Sequence, residues 1–217
     1  MKFITIVRFL FLSTFVFASS ARASDYTVLV MGDSISAAYG LDEKDGWVRL
    51  AEQQLEEDGF AVEFINASIS GETTVGGLRN LSSAMERFNP DLLIIELGGN
   101  DGLRGYPPNS IAKNLESMAL LAKEQGTNTL ILGMMIPTNY GQAYLKLLAK
   151  SFVTAAENSD SQLLPFFLEP IARDKDRSYF QTDGIHPTAA AQPILMHYVL
   201  PLIKENLPNE HRESATN

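Results

Sequence analysis

The chain has 217 residues, a formal net charge of −9 and no cysteine. Its acidity argues against nucleic acid and anionic membrane surfaces as main partners, because both are bound through basic patches. The lack of cysteine excludes disulfides, cysteine nucleophiles and thiolate metal sites.

The chain begins with the pattern of a secretory signal peptide. Lys2 and Arg8 flank the start of an apolar run that ends near Ala18, and Ala21-Arg22-Ala23 has the small-x-small form of a cleavage site. The run is shorter than a membrane-spanning helix requires, and a cleavage site follows it. We therefore predict a signal peptide that is cleaved after residue 23. A retained N-terminal anchor is the alternative.

The rest of the chain is expected to form one domain. Residues 24–207 are enough for a full hydrophobic core and contain no stretch long enough to cross a bilayer, so the mature chain is predicted to have no integral span. Residues 208–217 are polar and are predicted to form a frayed tail. No feature requires an oligomer, and we expect a monomer.

Apolar runs alternate with amphipathic stretches through this domain. The predicted strands are Thr27 to Met31, Val62 to Asn66, Leu92 to Leu97, Thr129 to Met135 and Leu163 to Phe167. The predicted helices are Trp47 to Glu57, Val75 to Phe88, Ile111 to Gln125, Gln142 to Asn158 and Thr188 to about Asn206. Continuous apolar strands indicate a parallel sheet buried on both faces. The order predicts a doubly wound, three-layer α/β/α sandwich with about five strands.

The first predicted strand runs into Gly32-Asp33-Ser34, where the chain turns toward a helix. Oriented backbone N–H groups at such a turn stabilise negative charge, which suits a nucleophilic serine. A serine in this setting is equally suited to an ordinary turn or helix N-cap.

The far end of the chain supplies a matching pair in Asp183-Gly184-Ile185-His186-Pro187. Histidine accepts a serine proton near neutral pH, and a carboxylate fixes its tautomer. Together Ser34, His186 and Asp183 predict serine hydrolase chemistry. Taken alone, Asp183 could be a loop or cap residue and His186 a loop residue before proline.

Two further segments follow predicted strands and so are expected at the same edge of the sheet. The first carries Gly71 and the second carries Asn100. Backbone N–H groups of Ser34 and Gly71, with the Asn100 side chain, would give an oxyanion three donors. Gly71 and Asn100 could each instead be an ordinary turn residue.

These segments resemble the four blocks of the SGNH hydrolases, also called GDSL esterases, across essentially the whole mature chain. Within that family, the chain is similar to the periplasmic acyl-CoA thioesterase I, lysophospholipase and arylesterase subfamily. The strings that carry this closer similarity are Asn66-Ala67-Ser68-Ile69-Ser70-Gly71, Glu96-Leu97-Gly98-Gly99-Asn100-Asp101-Gly102-Leu103-Arg104-Gly105, Ile136-Pro137-Thr138-Asn139-Tyr140-Gly141 and Asp183-Gly184-Ile185-His186-Pro187.

The resemblance implies a flavodoxin-like fold, with Ser34 as nucleophile, His186 as base and Asp183 as its orienting carboxylate. Ser34, Gly71 and Asn100 would form the oxyanion hole. It also implies a periplasmic enzyme that hydrolyses aryl esters, fatty acyl thioesters and lysophospholipids without a metal or organic cofactor. Ile35 stands where the family motif has leucine, an apolar change of similar volume.

The residues that would contact the substrate are less clearly marked. We predict Leu103, Tyr106, Pro137 and Tyr140 as candidates, with the loop from Gly102 to Pro108 moving over the acyl chain, or else static at the surface. The methionines at 31, 134 and 135 are predicted to belong to the core.

Two other functions remain open at this point. One is a carbohydrate O-deacetylase or narrow short-chain esterase on the same scaffold. The other is a periplasmic acyl-binding protein with little turnover, which would have no need of the catalytic groups.

Overall fold

The computed structural model describes residues 26–208, so the predicted signal peptide and nearly all of the predicted tail lie outside the described part. The strands are β1 (Tyr26–Gly32), β2 (Val62–Asn66), β3 (Leu92–Glu96), β4 (Asn128–Leu132) and β5 (Gln162–Leu164). The α-helices are α1 (Trp47–Glu57), α2 (Thr74–Phe88), α3 (Gly99–Leu103), α4 (Pro108–Glu124), α5 (Gln142–Ser159), α6 (Glu169–Ala172) and α7 (Gln192–Asn206).

The five strands form one parallel sheet in the order β2-β1-β3-β4-β5. Helix α1 packs against α7, and α4 packs against α2 and α5, which gives a helical layer on each side of the sheet. The predicted three-layer α/β/α fold is confirmed. None of the helices between residues 26 and 208 is long and apolar enough to cross a membrane.

The centre of the sheet sets the position of the site. Every residue of β3 is buried, which explains the unbroken apolar run that precedes Glu96. In the register between β1 and β3, Gly32 lies opposite Glu96. The two strands therefore end level with each other, and the segments that follow them emerge side by side at the carboxyl edge of the sheet, where ligands bind in such folds.

Strand β4 is shorter than predicted, because the chain leaves the sheet at Gly133. The Gly133 N–H donates to the Leu164 carbonyl at 2.7 Å, and its carbonyl accepts from the Phe167 N–H at 2.9 Å. Strand β5 ends at Leu164 and is followed by Pro165, a residue that sheets accept only at edge strands and strand ends. The predicted ends at Met135 and Phe167 were wrong, and the residues beyond both strands are free to approach the site.

Gly133 also allows a close approach of two backbone segments. A Cβ at this position would lie 2.2 Å from the Pro165 carbonyl oxygen, a contact that only backbone movement relieves. We expect Gly133→Ala to lower the free energy of unfolding by about 3 kcal/mol, or about 6–12 °C in Tm. Thermal denaturation measures this. Gly126→Ala is the contrast, because its Cβ meets open space and only the left-handed backbone costs about 1–2 kcal/mol; equal losses would contradict the steric argument.

The sequence pattern did not predict two short helices. Helix α3 covers Gly99–Leu103, which has the composition of a turn. Its Asp101 carboxylate accepts from the N–H and the hydroxyl of Thr74, so a contact distant in sequence holds the helix against α2. Helix α6, at Glu169–Ala172, is four residues long and too short for a hydrophobic period to reveal.

Candidate active site

Ser34 lies in the tight turn that follows β1. The Ala37 N–H donates to the Asp33 carbonyl and the Tyr39 N–H to the Ser34 carbonyl, both at 3.0 Å. The Asp33 carboxylate accepts from the Ile35 N–H at 3.0 Å and closes the turn from inside. These bonds fix the backbone that presents the Ser34 hydroxyl at the carboxyl edge of the sheet.

The predicted partners of Ser34 are brought to it from the opposite end of the chain. His186 Nε2 lies 2.9 Å from Ser34 Oγ, and His186 Nδ1 lies 2.7 Å from Asp183 Oδ2. The other oxygen, Asp183 Oδ1, accepts from the N–H groups of Ile185 and His186 at 2.8 and 3.0 Å. The three side chains form one continuous hydrogen-bonded line.

The Asp183 carboxylate remains ionised over the whole range in which histidine titrates. The hydrogen bond from the His186 ring, together with two backbone N–H donors, lowers the pKa of Asp183 to about 2. An ionised carboxylate at Nδ1 favours the tautomer that leaves Nε2 free to accept a proton from Ser34.

Tyr39, which the sequence reading missed, packs against the imidazole. The two ring centroids are 4.4 Å apart with an interplanar angle of 36°. Gln181 links Tyr39 to the turn that carries His186, since its side-chain amide donates to the carbonyls of Tyr39 and Pro187. Its backbone N–H donates to the His186 carbonyl at 2.7 Å. No motif could have indicated the contacts of Tyr39, since Gln181 lies 142 positions away in the chain.

The two other predicted oxyanion donors lie on neighbouring segments. Asn100, in α3, shares a cleft with Ser34 and His186, and its amide donates to Asp33 Oδ2 at 2.9 Å. Gly71 lies in the turn after β2 with φ +79°, a conformation that favours glycine. Its carbonyl accepts from the Arg104 guanidinium at 3.0 Å. This bond links the Gly71 turn to the segment that follows α3.

A buried polar network lies directly beneath the serine turn. Asp33 and Glu96 are 3% and 0% exposed. Burial raises the pKa of Asp33 to about 6, and burial together with the Asp33 charge raises that of Glu96 well above its usual range. Ser36 donates to Glu96 and accepts from the Trp47 indole N–H at 3.2 Å. The sequence signal for this network was an acidic residue ending the apolar run of β3.

The cleft beside Ser34 has a volume of about 530 Å³. Its lining is mostly apolar and comes from the segments that follow β1, β3, β4 and β5, together with the turn that carries His186. The side chains beyond the polar site residues include Leu103, Met134, Met135, Ile136, Pro137, Phe166, Leu168, Phe180 and Ile185. A cleft of this size and character accommodates an acyl chain.

The structure places the four predicted substrate-binding residues in two groups. Leu103 and Pro137 line the cleft. Tyr106 and Tyr140 are not among the described residues that line it, so their contact with the substrate stays a prediction. The Tyr140 hydroxyl donates to the Leu103 carbonyl at 2.8 Å, and the Tyr106 carbonyl accepts from the Tyr144 hydroxyl at 2.6 Å. The side chains of Tyr140 and Tyr144 therefore hold the segment that runs from Leu103 to Tyr106.

The methionines also divide differently from the prediction. Met31 is a buried core residue, as expected. Met134 and Met135 lie beyond the end of β4 and line the cleft, and Met135 is 55% exposed. The prediction is confirmed for Met134, which is 4% exposed and belongs to the core, and is wrong for Met135, which lies beyond the early end of β4.

The chain is similar to known proteins over most of its length. A sequence model of the GDSL-like lipase/acylhydrolase family matches residues 30–193. The esterase TesA of Pseudomonas aeruginosa is 44% identical over 84% of this chain and 90% of its own length. A crystal structure of TesA superposes with a TM-score of 0.80 at 45% identity, covering 83% of this chain and 99% of that one.

Two other relatives have related names. An arylesterase of Vibrio mimicus is 39% identical over 89% of this chain and 96% of its own length. The thioesterase 1/protease 1/lysophospholipase L1 of Escherichia coli K12 is 34% identical over 88% of both chains. From the family match and these relatives, the chain is a member of the GDSL-like lipase/acylhydrolase family.

Proposed function

We propose that this protein is a serine esterase and thioesterase that works through an acyl-enzyme. The observation that carries the proposal is the line of hydrogen bonds from Ser34 through His186 to Asp183 at the mouth of an apolar cleft. Aryl esters, fatty acyl thioesters and lysophospholipids are the substrate classes that this cleft and the names of the relatives support.

The reaction begins with proton transfer from Ser34 Oγ to His186 Nε2 as the serine attacks the acyl carbonyl carbon. The carbonyl oxygen becomes an oxyanion, which the N–H groups of Ser34 and Gly71 and the amide of Asn100 stabilise. His186 then gives its proton to the departing alcohol or thiol. In the second half, His186 activates a water that releases the acid from Ser34.

The assignment of cellular location rests on the N-terminal sequence. We propose export through the signal peptide at residues 1–23 and action in the periplasm as a monomer. In that compartment an ester or lysophospholipid is a more accessible substrate than an acyl thioester of the cytosol.

The test is hydrolysis of p-nitrophenyl esters from acetyl to palmitoyl, combined with a serine-directed alkyl phosphonate. We expect turnover of long as well as short esters, and a phosphonate adduct that peptide mass spectrometry locates on Ser34. Activity confined to acetyl esters would favour the O-deacetylase. No turnover at any length and no adduct would leave the acyl-binding protein.

Met135 offers a test of where the acyl chain lies. Its side chain is exposed in the cleft, so a larger residue adds bulk there without disturbing the core. We expect Met135→Trp to lower the ratio of kcat/KM for octanoyl over butyryl esters by about tenfold. Leu147→Trp is the control, since Leu147 is 52% exposed on α5 and outside the described cleft lining. An unchanged ratio in Met135→Trp would place the acyl chain elsewhere.

A further inference from the structure

The buried carboxyls of Asp33 and Glu96 form a pair that the reaction described above does not use. They come from adjacent strands, at the end of β3 and just after the end of β1, and lie beneath the serine turn. Two ionised carboxylates in contact inside a protein repel each other and have lost their hydration, so one proton between them is strongly favoured.

The hydrogen bonds of Glu96 indicate where that proton lies. Oε2 accepts from the Ser36 hydroxyl at 2.8 Å and from the N–H groups of Asp33 and Ser36 at 3.3 Å. Oε1 is buried and accepts from no donor among the described residues. A proton on Oε1 would turn this unsatisfied acceptor into a donor, and Asp33, whose backbone N–H already bonds to the same Glu96 side chain, is the neighbouring carboxyl.

Asp33 has the opposite pattern, because its carboxylate only accepts. Oδ1 takes the Ile35 N–H at 3.0 Å and Oδ2 takes the Asn100 amide at 2.9 Å. A proton held by Glu96 would add a third donor, and His186 is the nearby cationic group when it is protonated. The Asp33 carboxylate thus accepts from one N–H of the Asn100 amide and leaves the other N–H free to point into the cleft.

We propose that Glu96 is a neutral, proton-holding acid that donates to Asp33, and that the Asp33 carboxylate is the positioning residue for the oxyanion donor Asn100. The positioning role rests on the proposed function, whereas the location of the proton does not. In this arrangement Asp33 and Glu96 fix the angle of the Asn100 amide before the substrate binds. The amide then loses little entropy when the oxyanion forms.

The kinetic test compares Asp33→Asn with Glu96→Gln. Asparagine at 33 keeps the shape of the side chain but has only one oxygen. In one orientation its NH₂ faces the Asn100 amide, and in the other the Ile35 N–H loses its acceptor. We expect kcat for p-nitrophenyl butyrate to fall about 10–100-fold, because misplaced catalytic groups cost that order, while KM stays within about twofold. Glu96→Gln keeps a donor in the place of the acid O–H, and we expect kcat within about threefold of wild type.

Two outcomes would overturn the positioning role. One is a kcat of Asp33→Asn within twofold of wild type, and the other is a loss of kcat in Glu96→Gln as large as that in Asp33→Asn. Thermal denaturation of both variants accompanies the assay. If Asp33→Asn does not fold, Asp33→Ser replaces it, because the serine hydroxyl is one bond too short to hold the Asn100 amide; the proposal requires a similar loss of kcat, and a kcat within twofold of wild type overturns it.

The proton itself is tested by stability, without any turnover. Free glutamate ionises near pH 4.3, so the unfolded wild type releases this proton above that pH while folded Glu96 keeps it. Wild-type stability therefore falls as pH rises from about 5 to 8, and the glutamine variant lacks this loss. The charged or titratable groups that act on the pair within residues 26–208 are the two carboxyls themselves and His186.

We expect the Tm of Glu96→Gln minus that of wild type to become more positive from pH 5 to pH 8. A difference that is constant or falls with pH would mean that Glu96 is ionised in the fold, and would overturn the proton assignment. Because an inactive protein would still show the trend, failure of the proposed enzymatic function is distinguishable from failure of this inference.

Discussion

Replacing Ser34 with alanine is expected to reduce kcat for p-nitrophenyl butyrate about 10⁶-fold, to the background set by binding and the remaining donors. The reason is that Ser34 Oγ is the atom placed 2.9 Å from the base His186, and a methyl group neither attacks the ester nor gives up a proton. Initial rates over a range of substrate concentrations measure the loss.

Ser82→Ala is the matched control for this substitution. Ser82 is exposed on α2, so the same deletion of a hydroxyl there should leave kcat and Tm unchanged. Retention of more than about 1% of kcat by Ser34→Ala would contradict its role as nucleophile, since loss of the attacking group in a comparable hydrolase costs far more.

Asp183→Asn is expected to lower kcat about 10⁴-fold with little effect on folding at low pH. The asparagine carbonyl still accepts from the backbone N–H groups of Ile185 and His186, so the turn persists. Its NH₂ would compete with the Nδ1–H of His186 and favour the tautomer that places the proton on Nε2. The imidazole then no longer accepts the proton of Ser34. Asp176→Asn, in an exposed loop, is the control.

The same variant tests the electrostatics of Asp183. Its pKa is about 2 in the fold and about 3.9 in the unfolded chain. The folded state therefore gains stability above pH 4 that is lost as pH falls toward 2. The Tm difference between wild type and Asp183→Asn should shrink over that interval. A difference that is unchanged from pH 5 to pH 2.5 would show that His186 does not lower this pKa.

Much of the fold and the three reacting side chains could be predicted because their signals are local. A buried parallel strand is a continuous apolar run, and the five runs found in the sequence correspond to the five strands. Ser34 and the Asp183–His186 pair each sit in a short motif, and the doubly wound topology brings strand ends to one edge. Their meeting needed only the order of strands and helices.

Features that depend on contacts between distant segments could not be predicted from local sequence patterns. Strand β4 ends at Leu132, and the Gly133 carbonyl accepts from Phe167 in the segment after β5, a contact that the sequence does not reveal. Met134 and Met135 were therefore wrongly placed in a strand. The bonds of the Tyr140 hydroxyl to the Leu103 carbonyl and of the Tyr144 hydroxyl to the Tyr106 carbonyl likewise join segments that no local pattern connects.

The strand order separates the reacting groups from most of the cleft wall. Ser34 and Asn100 follow β1 and β3, which pair at the centre of the sheet, whereas Met134 to Thr138 and Phe166 to Leu168 follow β4 and β5 toward one edge. Substitutions and insertions in the edge segments alter the shape that a substrate meets without passing strain through the central register. New substrate ranges are therefore accessible to selection or engineering by remodelling one side of the molecule while its chemistry is kept.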